Sequence, residues 1–158
     1  MSDTLGTARR KAREAALQML YQWEVGRVSA HEAVRTYWPG RDAPPSPDDE
    51  HADAVAEAAV DDDSRTWANA LVSGTIARVK DADELIVAHS RNWRLERMAV
   101  IDRLIMRMAI AELLIEPETP AKVVINEALE LARTFSGEEP VPLINGVLDA
   151  VRKTLNRE

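Results

Sequence analysis

Sixteen consecutive residues, Val100–Ile115 (VIDRLIMRMAIAELLI), carry apolar side chains on every side of a helical wheel, twelve of them in all. A helix that is apolar all round must be buried, in a protein core or in a membrane. A membrane span needs roughly 18 or more nearly uncharged residues. Asp102, Arg103, Arg107 and Glu112 interrupt this run too often for that. The stretch is therefore predicted as a central core helix that other helices must wrap. Its charges have two readings. They mark a narrow solvated strip, or Asp102 and Arg103 lie on an edge that faces a partner.

The flanking pattern is helical as well. Thr7 is placed to cap a helix running to about Val25 and stopped by Gly26. A second helix, about Ser29–Tyr37, ends before Pro39-Gly40. Ser64 starts a third, to about Val79, with Ala68, Val72, Ile76 and Val79 on one face. Gly74 inside it permits close approach of another helix. Asp81-x-x-Glu84 resembles a capping box and opens a fourth, to about Ser90. Pro117 ends the central helix, and Thr119-Pro120 begins the next as a cap followed by an N1 proline. That helix runs to about Phe135, stops at Gly137, and buries Val124, Ala128, Leu131 and Phe135. The last, from about Val141, buries Ile144, Leu148, Val151 and Leu155.

Between the second and third helices, Arg41–Asp49 (RDAPPSPDD) holds three prolines in nine residues and reads as an exposed connector. The Ala-rich, acidic Glu50–Val60 reads as a helix extension. No strand, hairpin or repeat signal appears. The expectation is one all-α domain over residues 1–158, of about seven helices, with a Pro-rich acidic connector at about 39–63.

Catalytic motifs are missing. There is no Gly-rich phosphate loop, no paired-histidine metal motif and no G-x-S-x-G elbow. His31, His51 and His89 are far apart, and none has an evident catalytic companion. His51 with Glu50 and Asp53 lacks both a fixed ligand spacing and a second histidine, so a solvated loop is the better reading. His89 is expected at a helix boundary or in the core. No enzyme, cofactor or metal is expected. The absence of cysteine excludes disulfides and thiolate sites and fits a reducing compartment. The polar start, Met1–Thr7, lacks the apolar run of a secretory signal, so a cytoplasmic protein is expected.

The net charge of −7 argues against nucleic acid only if it is averaged. Residues 42–63 hold nine acids and no Lys or Arg, which leaves +2 for everything else. Local sign decides which ligands a face attracts, because screening cuts charges off beyond about 8–10 Å. The dense basic cluster is Arg9-Arg10-Lys11-Ala12-Arg13. Four cations near a helix N-terminus oppose the macrodipole, which prefers acids there. Either the charge is placed for an anionic partner, or it is a solvated first turn partly offset by Glu14 and Glu24.

At 100° per residue, Ala12, Ala16, Met19 and Trp23 cluster about 180–240° from Arg10, as the core stripe. Tyr21 falls at about 20° and Leu17 at about 340°, with Glu14 and Gln18 at about 40° and 80°. An aromatic therefore points away from the core on the side of Arg10, about 16 Å further along the axis. A cationic helix with an exposed stacking face suits single-stranded nucleic acid. A protein-only helical adaptor is the alternative. A second copy of the chain, as a homodimer, would equally cover a Leu17–Tyr21 strip.

Four segments carry a resemblance. They are ARRKAREAALQMLYQWE (Ala8–Glu24), DRLIMRMAIAELL (Asp102–Leu114), TPAKVVINEALELARTF (Thr119–Phe135) and LINGVLDAV (Leu143–Val151). With them the chain resembles the NusB family of transcription antitermination factors, nearly end to end apart from the acidic insert. The resemblance implies two packed helical subdomains. It also implies binding to the boxA element of nascent ribosomal RNA together with NusE, a small-subunit ribosomal protein, within the transcription elongation complex. By motif position, Arg9, Arg10, Lys11 and Arg13 match the arginine-rich RNA contact and Tyr21 the stacking tyrosine, with Gln18 on the same face. Asp102, with Arg103 beside it, falls where the family carries an acid facing NusE. Glu139 falls in a loop near the RNA face. Leu143 stands where the family often has an aromatic that holds RNA, and a leucine cannot stack a base equally well. The acidic insert is longer than the family pattern.

Overall fold

The computed structural model describes residues 2–42, 60–91 and 94–158. The proline-rich stretch and the acidic helix extension fall almost wholly outside these residues, as does the rejected His51 cluster. Every regular element among the described residues is helical. They are α1 (Ser2–Gly26), α2 (Ala30–Asp42), α3 (Asp62–Ala77), α4 (Val79–His89), α5 (Val100–Ile115), α6 (Ala121–Phe135) and α7 (Val141–Thr154), with a 3₁₀ turn at Leu95–Arg97. Two compact units divide at residue 72, within α3.

In the first unit α1 packs against α2. Thr7, expected as a cap, lies inside α1, which starts at Ser2. Ser29 caps α2 by accepting the Glu32 N–H at 3.1 Å. That helix then runs through Pro39-Gly40 instead of ending before it, and covers the first residues of the expected connector. Proline removes one ladder bond. Side chains on both sides of it hold the last turn: Trp38, just before, is buried with its Nε1 donating to Asn69 at 2.9 Å. Asp42 accepts two bonds from Arg65, at 2.7 and 2.8 Å. The cap of α3 is Asp61, whose Oδ1 accepts the Ser64 N–H at 2.8 Å; Ser64, expected in that role, is buried one turn in.

In the second unit α5 is the hub, packing against α4, α6 and α7. Eleven of its sixteen residues are buried, within the bounds read from the sequence. Its charges do not form a solvated strip. Asp102, Arg107 and Glu112 are all buried. Gly74 does permit close approach, since a Cβ there would meet Ile115 Cδ1 at 3.0 Å. Asp81 sits in the first turn of α4 rather than capping it. The cap residue of α6 is Pro120, one later than expected, with no side-chain bond. Arg157 instead gathers the carbonyls of that turn: Leu113, Glu116, Pro117 and Thr119 all accept from its guanidinium. Phe135, expected in the core stripe of α6, is exposed because the helix ends there, before Gly137 at φ +117°. His89 is a boundary residue, its Nε2 3.1 Å from the Thr154 hydroxyl.

Candidate nucleic-acid interface

The face in question lies on α1. Ala12, Arg13, Ala15, Ala16, Leu17, Met19 and Leu20 are all buried. At 100° per residue they cover about 200° of the helix circumference, far more than the narrow stripe read from the sequence. The wider arc takes in Leu17, which is therefore core and not part of an exposed apolar strip. What stays open is the opposite arc, where Arg10, Gln18, Tyr21 and Gln22 are exposed and Lys11 is half-buried.

The four cations divide. Arg13 is only 4% exposed, and its guanidinium lies over the Trp67 ring at 5.2 Å. Arg9, one helical turn earlier and half-buried, lies over the same ring at 4.5 Å. The expectation of four solvent-facing cations thus fails at Arg13, which is part of the packing. Arg10 and Lys11 remain on the open side. Trp67, on α3, carried no sequence signal linking it to the basic cluster; only packing brings it there.

Tyr21 is 39% exposed on the same arc as Arg10, as its wheel position requires. Gln18, one turn earlier, accepts a hydrogen bond from the Tyr37 hydroxyl at 2.6 Å, and Arg41 donates to that hydroxyl at 3.2 Å. Sequence reasoning missed Tyr37 and Arg41, because α2 was expected to end before Arg41.

The remaining candidates belong to the second unit. Asp102 is 8% exposed, and among the described residues its Oδ1 has no hydrogen-bond partner. Arg103, next to it, is half-buried with an equally unmatched Nε. Buried polar atoms are normally paired, so two neighbouring orphans call for a partner. Arg107 donates to both oxygens of Asp83, at 2.7 and 2.9 Å, so only its Nη1 is without a hydrogen-bond partner among the described residues. Leu143 is half-buried in the first turn of α7 and lines a cleft of about 670 Å³ with His89, Arg91 and Val147. Glu139 is exposed in the turn between α6 and α7.

No group of three or more acidic or histidine side chains among the described residues is arranged to hold a metal. No described helix is long and apolar enough to cross a membrane. Among the described residues the fold is wholly helical, and the open arc of α1 carries cations and an exposed aromatic. Residues 10–153 match the model of the NusB family, and the chain belongs to that family. It is 42% identical over 158 residues to the transcription antitermination protein NusB of Koribacter versatilis, covering 100% of this chain and 97% of that one. Among solved structures it resembles T. maritima NusB, with a TM-score of 0.68, 28% identity, and 92% and 90% of the two chains covered. It also resembles a chain from a crystal structure of the antitermination factors NusB and NusE in complex with double-stranded RNA. There the TM-score is 0.75 at 20% identity, covering 94% of this chain and 98% of that one.

Proposed function

We propose that this chain is an RNA-binding transcription antitermination factor that holds the boxA element of nascent ribosomal RNA, together with NusE, in the transcription elongation complex. Membership of the NusB family and the name of its Koribacter relative support the activity. The observation that carries the RNA face is Tyr21, a large aromatic left exposed on the same open arc of α1 as Arg10, opposite the buried arc of that helix. Arg10 and Lys11, with Arg9 behind them, position phosphates, and Tyr21 stacks a base. Leu143 and Glu139 are assigned to the same RNA with lesser roles. Asp102 and Arg103 face NusE, whose polar groups satisfy the orphaned atoms; in the related solved complex NusB and NusE are bound together with RNA. Such a factor acts in the cytoplasm, where RNA is transcribed.

The test is a titration of boxA-containing RNA with and without NusE. Salt-sensitive binding that tightens with NusE is the expected result. A chain that binds NusE but no RNA at any salt would be the protein-only adaptor instead.

A further inference from the structure

Gln18, Tyr37 and Arg41 form a hydrogen-bonded chain on the wall of a cleft of about 450 Å³ between α1 and α2, which Gln22, Glu32 and Thr36 also line. Its direction follows from donor chemistry. A guanidinium has only donors, so at the 3.2 Å contact the Tyr37 oxygen accepts from Arg41. The single hydroxyl hydrogen is then left for Gln18, 2.6 Å away. The Gln18 atom that meets it must be the carbonyl oxygen. This fixes an amide that would otherwise be free to turn over and exchange its donor and acceptor ends. Burial also pushes the Tyr37 hydroxyl above its ordinary range, so it keeps its proton at neutral pH.

The consequence lies at the other end of the amide. With Oε1 occupied, exposed Gln18 offers an NH₂ group, and among the described residues that group has no partner. It stands on the open arc of α1, three residues before Tyr21. An amide free to turn pairs with either a carbonyl oxygen or an amino group on a base. A locked amide offers two N–H donors and, as acceptor, only the spare lone pair of an oxygen already held by Tyr37, so it reads a base chiefly by donating. Glu32 and Arg41 both line the cleft and offset each other's charge, so the neutral Gln18 amide is what selects there, and an amide reads a base edge.

We propose that Tyr37 and Arg41 are positioning residues that fix Gln18 with its amide donors toward a base next to the one stacked on Tyr21. Gln18 thereby selects bases with a carbonyl oxygen at the exocyclic C4 or C6 position, uracil and guanine, where cytosine and adenine carry an amino group. This rests on the RNA-binding reading above. It goes beyond that reading in assigning a base preference and its cause.

The test uses the full chain with fluorescent oligouridine and oligocytidine of equal length, measured at low salt. The wild type should bind oligouridine about tenfold more tightly, the worth of one base hydrogen bond kept against a donor–donor clash. In Tyr37→Phe the amide is released and the ratio should fall close to one, with a melting temperature near that of the wild type. Gln18→Glu, which leaves Tyr37 and Arg41 in place, offers acceptors only and should reverse the preference toward oligocytidine. This second variant decides the matter if Tyr37→Phe fails to fold. A wild type that binds both oligomers equally overturns the proposal while leaving the RNA face intact. So does a Tyr37→Phe that keeps its ratio, or a Gln18→Glu that still prefers oligouridine. Binding to neither oligomer nor to boxA RNA removes both the proposal and the reading beneath it.

Discussion

Asp83 on α4 holds Arg107 on α5 through two parallel hydrogen bonds of 2.7 and 2.9 Å, fork to fork. The Arg107 side chain is 6% exposed and that of Asp83 23%. Such a pair ties two helices at a fixed register, and its loss is felt mainly through the charge left behind. Asp83→Ala should destabilise the fold by about 3 kcal/mol, the low end for a buried pair because Asp83 is partly wet. Urea unfolding followed by circular dichroism reads this directly. A midpoint unchanged from wild type would show that Arg107 finds equal compensation elsewhere.

Leu104 is fully buried on α5. Leu104→Ala should therefore cost about 2–5 kcal/mol, the sum of lost burial and an unfilled cavity. Thermal melts decide it. A change below about 0.5 kcal/mol would mean that α5 is not the hub of its unit.

The division of the basic cluster gives a salt prediction. Four cations neutralising phosphates on single-stranded RNA would give a log–log salt slope of about −2.8. With Arg13 buried the slope should be about −1.4 from Arg10 and Lys11, or about −2.1 if Arg9 leaves Trp67 to join them. Arg10→Ala should flatten the slope by about 0.7 and weaken all RNAs alike. Arg13→Ala should instead cost about 2 kcal/mol of stability through its lost contact with Trp67. Filter binding across a salt series, with melts of both variants, separates the two roles. A slope near −2.8 would bring Arg13 back to the RNA face.

Tyr21→Ala should remove about 1–3 kcal/mol of RNA affinity and leave the salt slope nearly unchanged. Its cost should persist at high salt, where the contribution of the arginines has faded. The melting temperature should barely move, since the ring is 39% exposed. A stable Tyr21→Ala protein with normal boxA affinity would falsify the assignment of the RNA face.

Asp102→Lys tests the other face. It places a cation where a buried carboxylate has an unmatched oxygen. If the residue pairs with a donor on NusE, the complex should weaken by about 2–5 kcal/mol when that contact is desolvated. Calorimetry of the folded variant with NusE checks this, and an unchanged affinity takes Asp102 out of the interface. A melt of the variant alone separates lost binding from lost folding, which matters for a residue 8% exposed.

The helices were legible because apolar spacing is a local property. Val100–Ile115 could be bounded from its own residues, and Tyr21 could be placed on the outer side of α1 from angle alone. What periodicity does not fix is how much of a helix its neighbours cover. Arg13 and Leu17 were misplaced for that one reason, since both fall inside a buried arc of about 200°. The charges of α5 failed in the same way. A charge in an apolar run looks solvated until its partner is known, and the partner of Arg107, Asp83, lies 24 residues away in the chain. Caps are read wrongly for two reasons: Asp61 satisfies the start of α3 ahead of Ser64, while the starts of α4 at Arg78 and α6 at Pro120 carry no side-chain cap bond at all. The Tyr37–Gln18 contact was beyond reach, because it needs α2 to continue through a proline.

Arg157 has a consequence for the order of events in the cell. Its guanidinium serves carbonyls on Leu113, Glu116, Pro117 and Thr119, some forty residues upstream. Synthesis runs from the N-terminus at about 5–20 residues per second. A growing chain therefore exposes the end of α5 and the turn after it for seconds before their donor exists. The second unit cannot be finished from front to back as it emerges. Its closing stitch is sewn by a residue made some forty positions later, so a chain interrupted before Arg157 would leave the ribosome with that seam open.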